Sequence, residues 1–236
     1  MSRYPGAEAT ARLGWWRAHR FLLLRRLCQF GVLGLFLLGP LAGIWILKGN
    51  LSSSLLLETV PLTDPLTLLQ SVAAGQWPIP TLWLGAGLVL AGYWLVGGRV
   101  FCSWVCPVNL VTDVAAWLRG RLGLKGNGQF NRATRYWLLA MVLVAPAITG
   151  VLVWELVNPV SLTLRGLLFG MGAGWGLLAV LFLFDLFVVE RGWCGHLCPV
   201  GAFYALVNRV GFIKIAASGR ERCSNCMDCY AVCPER

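Results

Sequence analysis

Four stretches of this 236-residue chain contain no charged side chain: residues 27–47, 65–98, 136–154 and 166–184. Each reaches the ~20 residues that a helix needs to cross a bilayer's hydrocarbon. Inside lipid every backbone N–H and C=O must be satisfied within the protein, so the four runs are read as helices. The second run is longer than a span requires; its helix is expected over residues 77–96, with 65–76 as an interfacial segment. A soluble protein with these runs as core helices is excluded by supply. With 58% hydrophobic residues and a mean hydropathy of +0.69, too little polar sequence remains to cover them. Nor does the first run read as a cleaved leader, because it is too long and no small-residue cleavage site follows it.

The 20 Lys and Arg residues orient these helices. Six precede the first (Arg3, Arg12, Arg17, Arg20, Arg25, Arg26) and six lie between the second and third (Arg99, Arg119, Arg121, Lys125, Arg132, Arg135). Six more follow the fourth, and only Lys48 and Arg165 remain for the opposite side. The positive-inside bias therefore puts both termini and the central loop in the cytoplasm. The same distribution accounts for the net charge of +10, and with no nucleic-acid module in sight, nucleic acid is not an expected partner. The expected organisation is a cytoplasmic basic arm (1–26), a four-helix membrane bundle (27–198) and a cytoplasmic segment (199–236). The fold class is all-α, four transmembrane helices as two repeated hairpins.

The last segment carries CSNCMDCYAVCP. Its Cys223, Cys226, Cys229 and Cys233 have the C-x2-C-x2-C-x3-C-P spacing with which bacterial ferredoxins hold [4Fe–4S] clusters. Zinc favours two separated pairs, and disulfides need an oxidising compartment, so iron–sulfur chemistry is the reading for these four residues. In such runs the fourth cysteine serves a second cluster. The first cluster then needs another thiolate, from a further run beyond Arg236 or from elsewhere in the chain.

A second cysteine pattern is duplicated. RVFCSWVCPV and RGWCGHLCPV align Arg99 with Arg191, Cys102 with Cys194, Cys106 with Cys198 and Pro107 with Pro199. Each copy is expected to be a helical hairpin ending in an aromatic-C-x3-C-P turn at the cytoplasmic face. A pseudo-twofold axis along the membrane normal would then gather Cys102, Cys106, Cys194 and Cys198. Cysteines four apart lie on one helix face or bracket one turn, so two pairs supply four ligands. Three uses stay open: a metal or iron–sulfur centre between the halves, two thiol–disulfide pairs, or turns supporting a quinone pocket. The tail motif itself ends in C-x3-C-P, which inclines the reading towards metal. Cys28, alone in the first helix, reads as a small buried apolar residue.

The remaining chemistry-bearing residues are few. Arg99 and Arg191, three positions before their cysteines, would lower thiolate pKa values or offset the charge of a reduced cluster. His196 stands inside the second pair, where the first has Trp104, as a candidate metal ligand or proton acceptor. Asp185 interrupts the fourth run and is a candidate for proton handling. Were its helix to continue, it would lie roughly 13 Å from Cys194. Trp154 and Glu155 read as an interfacial pair at the end of the third helix. The outer loop, 48–76, holds Asp64 but no catalytic cluster, and looks like a partner surface or a lid.

The four helices, CSWVCP, CGHLCP and the cytoplasmic CSNCMDCYAVCP together resemble the ferredoxin-type quinol dehydrogenase membrane subunits of periplasmic nitrate reductase systems, over essentially the whole chain. The resemblance implies a quinol dehydrogenase subunit that passes electrons, with a periplasmic ferredoxin-like subunit, towards nitrate reductase. It also implies two C-terminal [4Fe–4S] motifs, of which this chain shows the first. Rival readings on the same core are a copper reductase, with copper at Cys102, Cys106, Cys194 and Cys198, a redox-sensing regulator, or a non-catalytic membrane anchor.

Overall fold

The computed structural model describes residue 11, residues 14–124, 131, 133–170 and 172–213. The protein is mostly helical. Helix α1, Trp15–Ala42, starts inside the basic arm and stops at Gly43, whose left-handed φ of 73° lets its N–H return to the Gly39 carbonyl. The first charge-free run therefore begins about three turns into a helix that already carries Arg25 and Arg26.

The all-α expectation fails in the outer loop. Strands β1 (Leu47–Gly49), β2 (Ser53–Leu56) and β3 (Val60–Thr63) form an antiparallel sheet in the order β1-β2-β3, with Leu47 opposite Leu56 and Ser53 opposite Thr63. Two tight turns build it. The Asn50 side chain accepts from the Ser52 and Ser53 N–H groups, and Leu57 and Glu58 take positive φ between β2 and β3. Strand β3 lies on the second apolar helix, α3 (Pro80–Val96), where a Cβ at Gly85 would come within 3.0 Å of the Pro61 carbonyl oxygen. The supposed interfacial segment holds helix α2 (Pro65–Ala73). Asp64 caps it by accepting from the Thr67 N–H, and Pro65 opens it, where a missing N–H costs nothing.

After α3 the chain enters a π-helical turn, π1 (Phe101–Val105), then α4 (Val108–Leu122) and α5 (Thr134–Thr149). The third run does not reach Trp154 as one helix: Gly150 caps α5 in the left-handed region, and a short α6 (Val153–Val157) follows. The fourth run is likewise broken, at Gly170, into α7 (Pro159–Phe169) and α8 (Gly172–Phe187), which pack together with the Leu162 carbonyl against Gly174. The second π turn, π2 (Trp193–Leu197), leads into α9 (Pro199–Arg209).

Each copy of the repeat is thus helix, π turn, proline, helix, but not a closed hairpin. The arms exchange: α3 packs on α9 and α4 on α8. Gly98 makes the first contact possible, since a Cβ there would stand 2.3 Å from the Tyr204 carbonyl oxygen. Helix α9, assigned from sequence to the cytoplasmic segment 199–236, buries Val200, Ala202, Tyr204 and Ala205 against α3 and α5. The bundle therefore continues past residue 198. Leu66, Phe101, Leu139, Trp154, Leu181 and Tyr204 share one core, so outer loop, turns and helices close on a common centre. Among the described residues one helical stretch, His19–Ala42, is long and apolar enough by itself to cross a membrane. Pro80–Val96, Thr134–Thr149, Pro159–Phe169 and Gly174–Phe187 are apolar but shorter.

Candidate iron–sulfur centre

Both π turns close in the same way. The Cys106 N–H donates to the Phe101 carbonyl at 2.9 Å, and the Cys198 N–H to the Trp193 carbonyl at 2.9 Å. The wide turn spans five residues in each copy, and the proline after each second cysteine prevents the preceding turn from continuing as helix. Cys102, Cys106, Cys194 and Cys198 all line one cavity, walled by Trp154 and Trp193, whose rings stack at 6.4 Å and 11°. None of the four is in a disulfide.

A charged network flanks the cavity. On α4, Asp113 accepts from Arg25 and, at 2.6 Å, from Arg26, both on α1; it also pairs with Arg191 at 3.0 Å. Among the described residues three guanidinium groups meet this one carboxylate, on side chains that are all largely buried. Arg191 holds its place with a φ of +54°, a conformation that L side chains adopt rarely. The network reaches both turns. Arg26 donates to Gln29, which is fully buried and donates in turn to the Ser103 and Cys106 carbonyls; next to Asp113, the Thr112 hydroxyl lies 3.7 Å from Cys194 Sγ.

Asp185 proves to be a brace for the second turn. Helix α8 ends at Phe187 and the chain doubles back, so the Trp193 N–H donates to Asp185 Oδ1 at 3.0 Å instead of lying a further helix length away. Arg119 of α4 donates to the Asp185 and Leu186 carbonyls, both at 3.0 Å, closing the end of α8 from the other copy. His196 lies in π2 between the two cysteines, partly buried. Arg99 precedes π1, and its carbonyl accepts from the Ser103 backbone and hydroxyl. Trp154, read from sequence as an interfacial residue, is 6% exposed and forms cavity wall, while Glu155 accepts from Ser52 and Asn158. Cys223, Cys226, Cys229 and Cys233 lie outside the described residues. Gln29, Thr112, Arg119 and the pair Arg25/Arg26 were not legible as site residues; a Gln in an apolar run was the one signal available.

The residues fit an iron–sulfur group. Thiolates are its ligands, the walls are apolar, and Trp154 Nε1, which belongs to the wall, is a buried donor without a hydrogen-bond acceptor. The guanidinium groups gathered beside it suit a centre whose thiolates make it net negative. A single ion suits it less: zinc–sulfur bonds of about 2.3 Å draw ligands close together. Among the described residues no three His, Cys, Asp or Glu side chains are gathered tightly enough for one metal ion.

Comparison with known proteins falls on the same turns. A family model described as a 4Fe-4S binding domain matches twice, at residues 79–125 and 168–216, once for each copy of the repeat. The ferredoxin-type protein NapH of Escherichia coli is 56% identical over 99% of this chain and 81% of its own length, and NapH of Haemophilus influenzae 49% over the same shares. The methylamine utilization ferredoxin-type protein MauN of Paracoccus denitrificans is 53% identical, over 97% of this chain and 81% of its own. No solved structure matches significantly.

Proposed function

The chain belongs to the family of ferredoxin-type proteins that includes NapH and MauN, an iron–sulfur electron-transfer family, and from that premise we propose that it oxidises quinol in the bacterial inner membrane. Electrons leave through iron–sulfur centres, by way of a partner ferredoxin subunit, towards a periplasmic reductase, nitrate reductase in the first instance. The observation that carries this reading is the convergence of Cys102, Cys106, Cys194 and Cys198 on one cavity, in the two segments that match a 4Fe-4S binding domain. These four cysteines would hold one centre, and Cys223, Cys226, Cys229 and Cys233 another. When bound, such centres accept and release single electrons. The protein's own residues set the conditions: Arg25, Arg26 and Arg191 favour negative charge, Gln29 and Asp185 fix the two turns, and His196 is the polar side chain inside the second turn.

In this reading α1, α3, α5 and α8 cross the bilayer with both termini inside. The last three, at 17, 16 and 16 residues, sit at the short end of the spanning range. Exposed apolar side chains along all four support it, among them Leu27, Leu88, Met141, Ile148, Val180 and Leu183. Exposed Trp15, Trp16, Trp117 and Trp137 lie at the basic ends, and Trp45, Trp77 and Trp175 at the opposite ends, as interfacial belts would. The near-equal likeness to MauN favours a second reading, in which the same electron path serves methylamine utilization.

The test is stopped-flow reduction of the iron–sulfur chromophore by a quinol analogue in the reconstituted protein, for the parent and for Cys102→Ser and Cys194→Ser. Rapid bleaching in the parent, lost in both variants while the tail cluster is retained, is the expected result. A parent chromophore that quinol never bleaches refutes the dehydrogenase reading.

A further inference from the structure

A second pocket lies beside the cysteine cavity, with Phe101 lining both. Its walls are apolar, including Val32 and Phe36 of α1 and Val89 of α3. One end is polar. The Tyr204 hydroxyl donates to Asp64 Oδ1 at 3.0 Å, while Asp64 Oδ2 accepts from the Thr67 backbone and hydroxyl. Thr63, 4% exposed, also lines the pocket, and its hydroxyl has no hydrogen-bond partner. Three rings stand together there: Tyr204 lies 5.1 Å from Tyr93 and 5.3 Å from Phe101, and Tyr93 lies 5.9 Å from Phe101.

The repeat shows that this pocket is a departure from the shared plan. Cys102 and Cys194 are 92 residues apart, and the same shift pairs Tyr93 with Asp185 and Tyr204 with Thr112. On α8 and α4 those positions brace π2 and approach Cys194; on α3 and α9 they are two tyrosines lining a pocket against Asp64. The sheet inserted between α1 and α3 has no counterpart between α5 and α8 among the described residues; α7 stands there as α2 does, but its cap is Asn158 where α2 has the carboxylate of Asp64.

An aromatic-walled slot between two helices with exposed apolar faces, ending in a carboxyl–phenol pair, matches a hydroxylated ring on an apolar tail. We propose that this pocket binds the quinol, with its ring among Tyr93, Phe101 and Tyr204, one ring hydroxyl on Asp64, and its tail leaving between α1 and α3. The assignment rests on the quinol reading above and gives that reading a place. Oxidation breaks both ring O–H bonds: two protons and two electrons leave, and quinone remains. The electrons would pass singly to an iron–sulfur centre; Asp64 accepts the proton of the ring hydroxyl that it contacts and releases it to water, and the hydroxyl at the other end of the ring loses its proton to water directly.

The test uses the full protein in lipid nanodiscs and the fluorescent quinol mimic 2-heptyl-4-hydroxyquinoline N-oxide, whose quenching reports binding. Saturable quenching is expected for the parent. Val89→Trp, which fills the slot, and Asp64→Asn should each weaken binding about tenfold or more. Tyr204→Phe, which keeps the ring, should weaken it several-fold and guards against a variant that merely fails to insert. If all three variants insert, carry iron and bind as the parent does, the pocket is wrong while the quinol reading survives. If the parent neither quenches the probe nor is reduced by quinol, both fall.

Discussion

Three arginines from two distant parts of the chain converge on Asp113, and removing that carboxylate would take from buried Arg25 and Arg26 the acidic partner they have among the described residues. Breaking a buried pair in this way costs about 3–5 kcal/mol. Asp113→Asn, which keeps the shape, is therefore expected to lower the unfolding midpoint in detergent markedly, and Arg26→Gln less, because its side chain is 21% exposed. Equal midpoints for Asp113→Asn and the parent would refute the account. Asp64 gives a second prediction at this scale. Burial holds its carboxyl above the ordinary range, against the opposing hydrogen bonds of Tyr204 and Thr67. Between the unfolded and folded pKa values the folded protein keeps a proton that the unfolded chain releases, so stability falls as pH rises through that window. Asp64→Asn should flatten this slope in denaturation curves taken from pH 4 upwards; an unchanged slope would assign it to another group.

The element that decides the site is the π turn. Its i to i−5 closure, identical in both copies, lets two cysteines four apart line the same cavity as the pair from the other copy. Deleting Ser103 converts π1 to the α spacing and turns one sulfur by about 100° relative to the other. We expect a protein that still inserts in membranes but loses iron, measured per polypeptide, and loses its visible absorption at the paired turns; full iron retention would show that the turn geometry is immaterial. This is also where sequence reading succeeded and stopped. The duplicated cysteines, and the idea that they meet, were legible because Arg99/Arg191 and Pro107/Pro199 repeat in register. The breaks at Gly150 and Gly170 were not, because a hydrophobic run shows no charge where a glycine turns left-handed. The sheet was hidden because its second turn rests on Leu57 and Glu58 at positive φ, residues with no turn signature, although Gly49 and Asn50 marked the first. Asp185 was legible as an acid in a membrane segment, but its bond to the Trp193 N–H was not, because nothing in the sequence shows that the helix ends at Phe187 and the chain doubles back.

Across the whole molecule, the cysteine cavity is touched from both of the proposed membrane faces. Arg25, Arg26 and Arg191 approach from the side rich in positive charge, while Trp154 of α6 forms its wall and Asp64 of the outer loop meets Tyr204 one pocket away. A centre so placed shortens the route from a cytoplasmic cluster to a periplasmic acceptor, the step that a surface site on one face could not bridge. Such a route requires the sheet and the end of α4 to lie on opposite sides of the membrane. Reporter insertions can decide it: alkaline phosphatase, which folds only in the periplasm, and a fluorescent protein that matures in the cytoplasm. The turn at Leu57–Thr59 is exposed, as is Gly123 at the end of α4, so both should accept an insertion without disturbing the core. Phosphatase activity is expected at residue 58 and fluorescence at residue 123. The same signal at both would put the two loops on one face, remove the four-span arrangement, and leave Asp64 and Tyr204 meeting on a single side of the membrane.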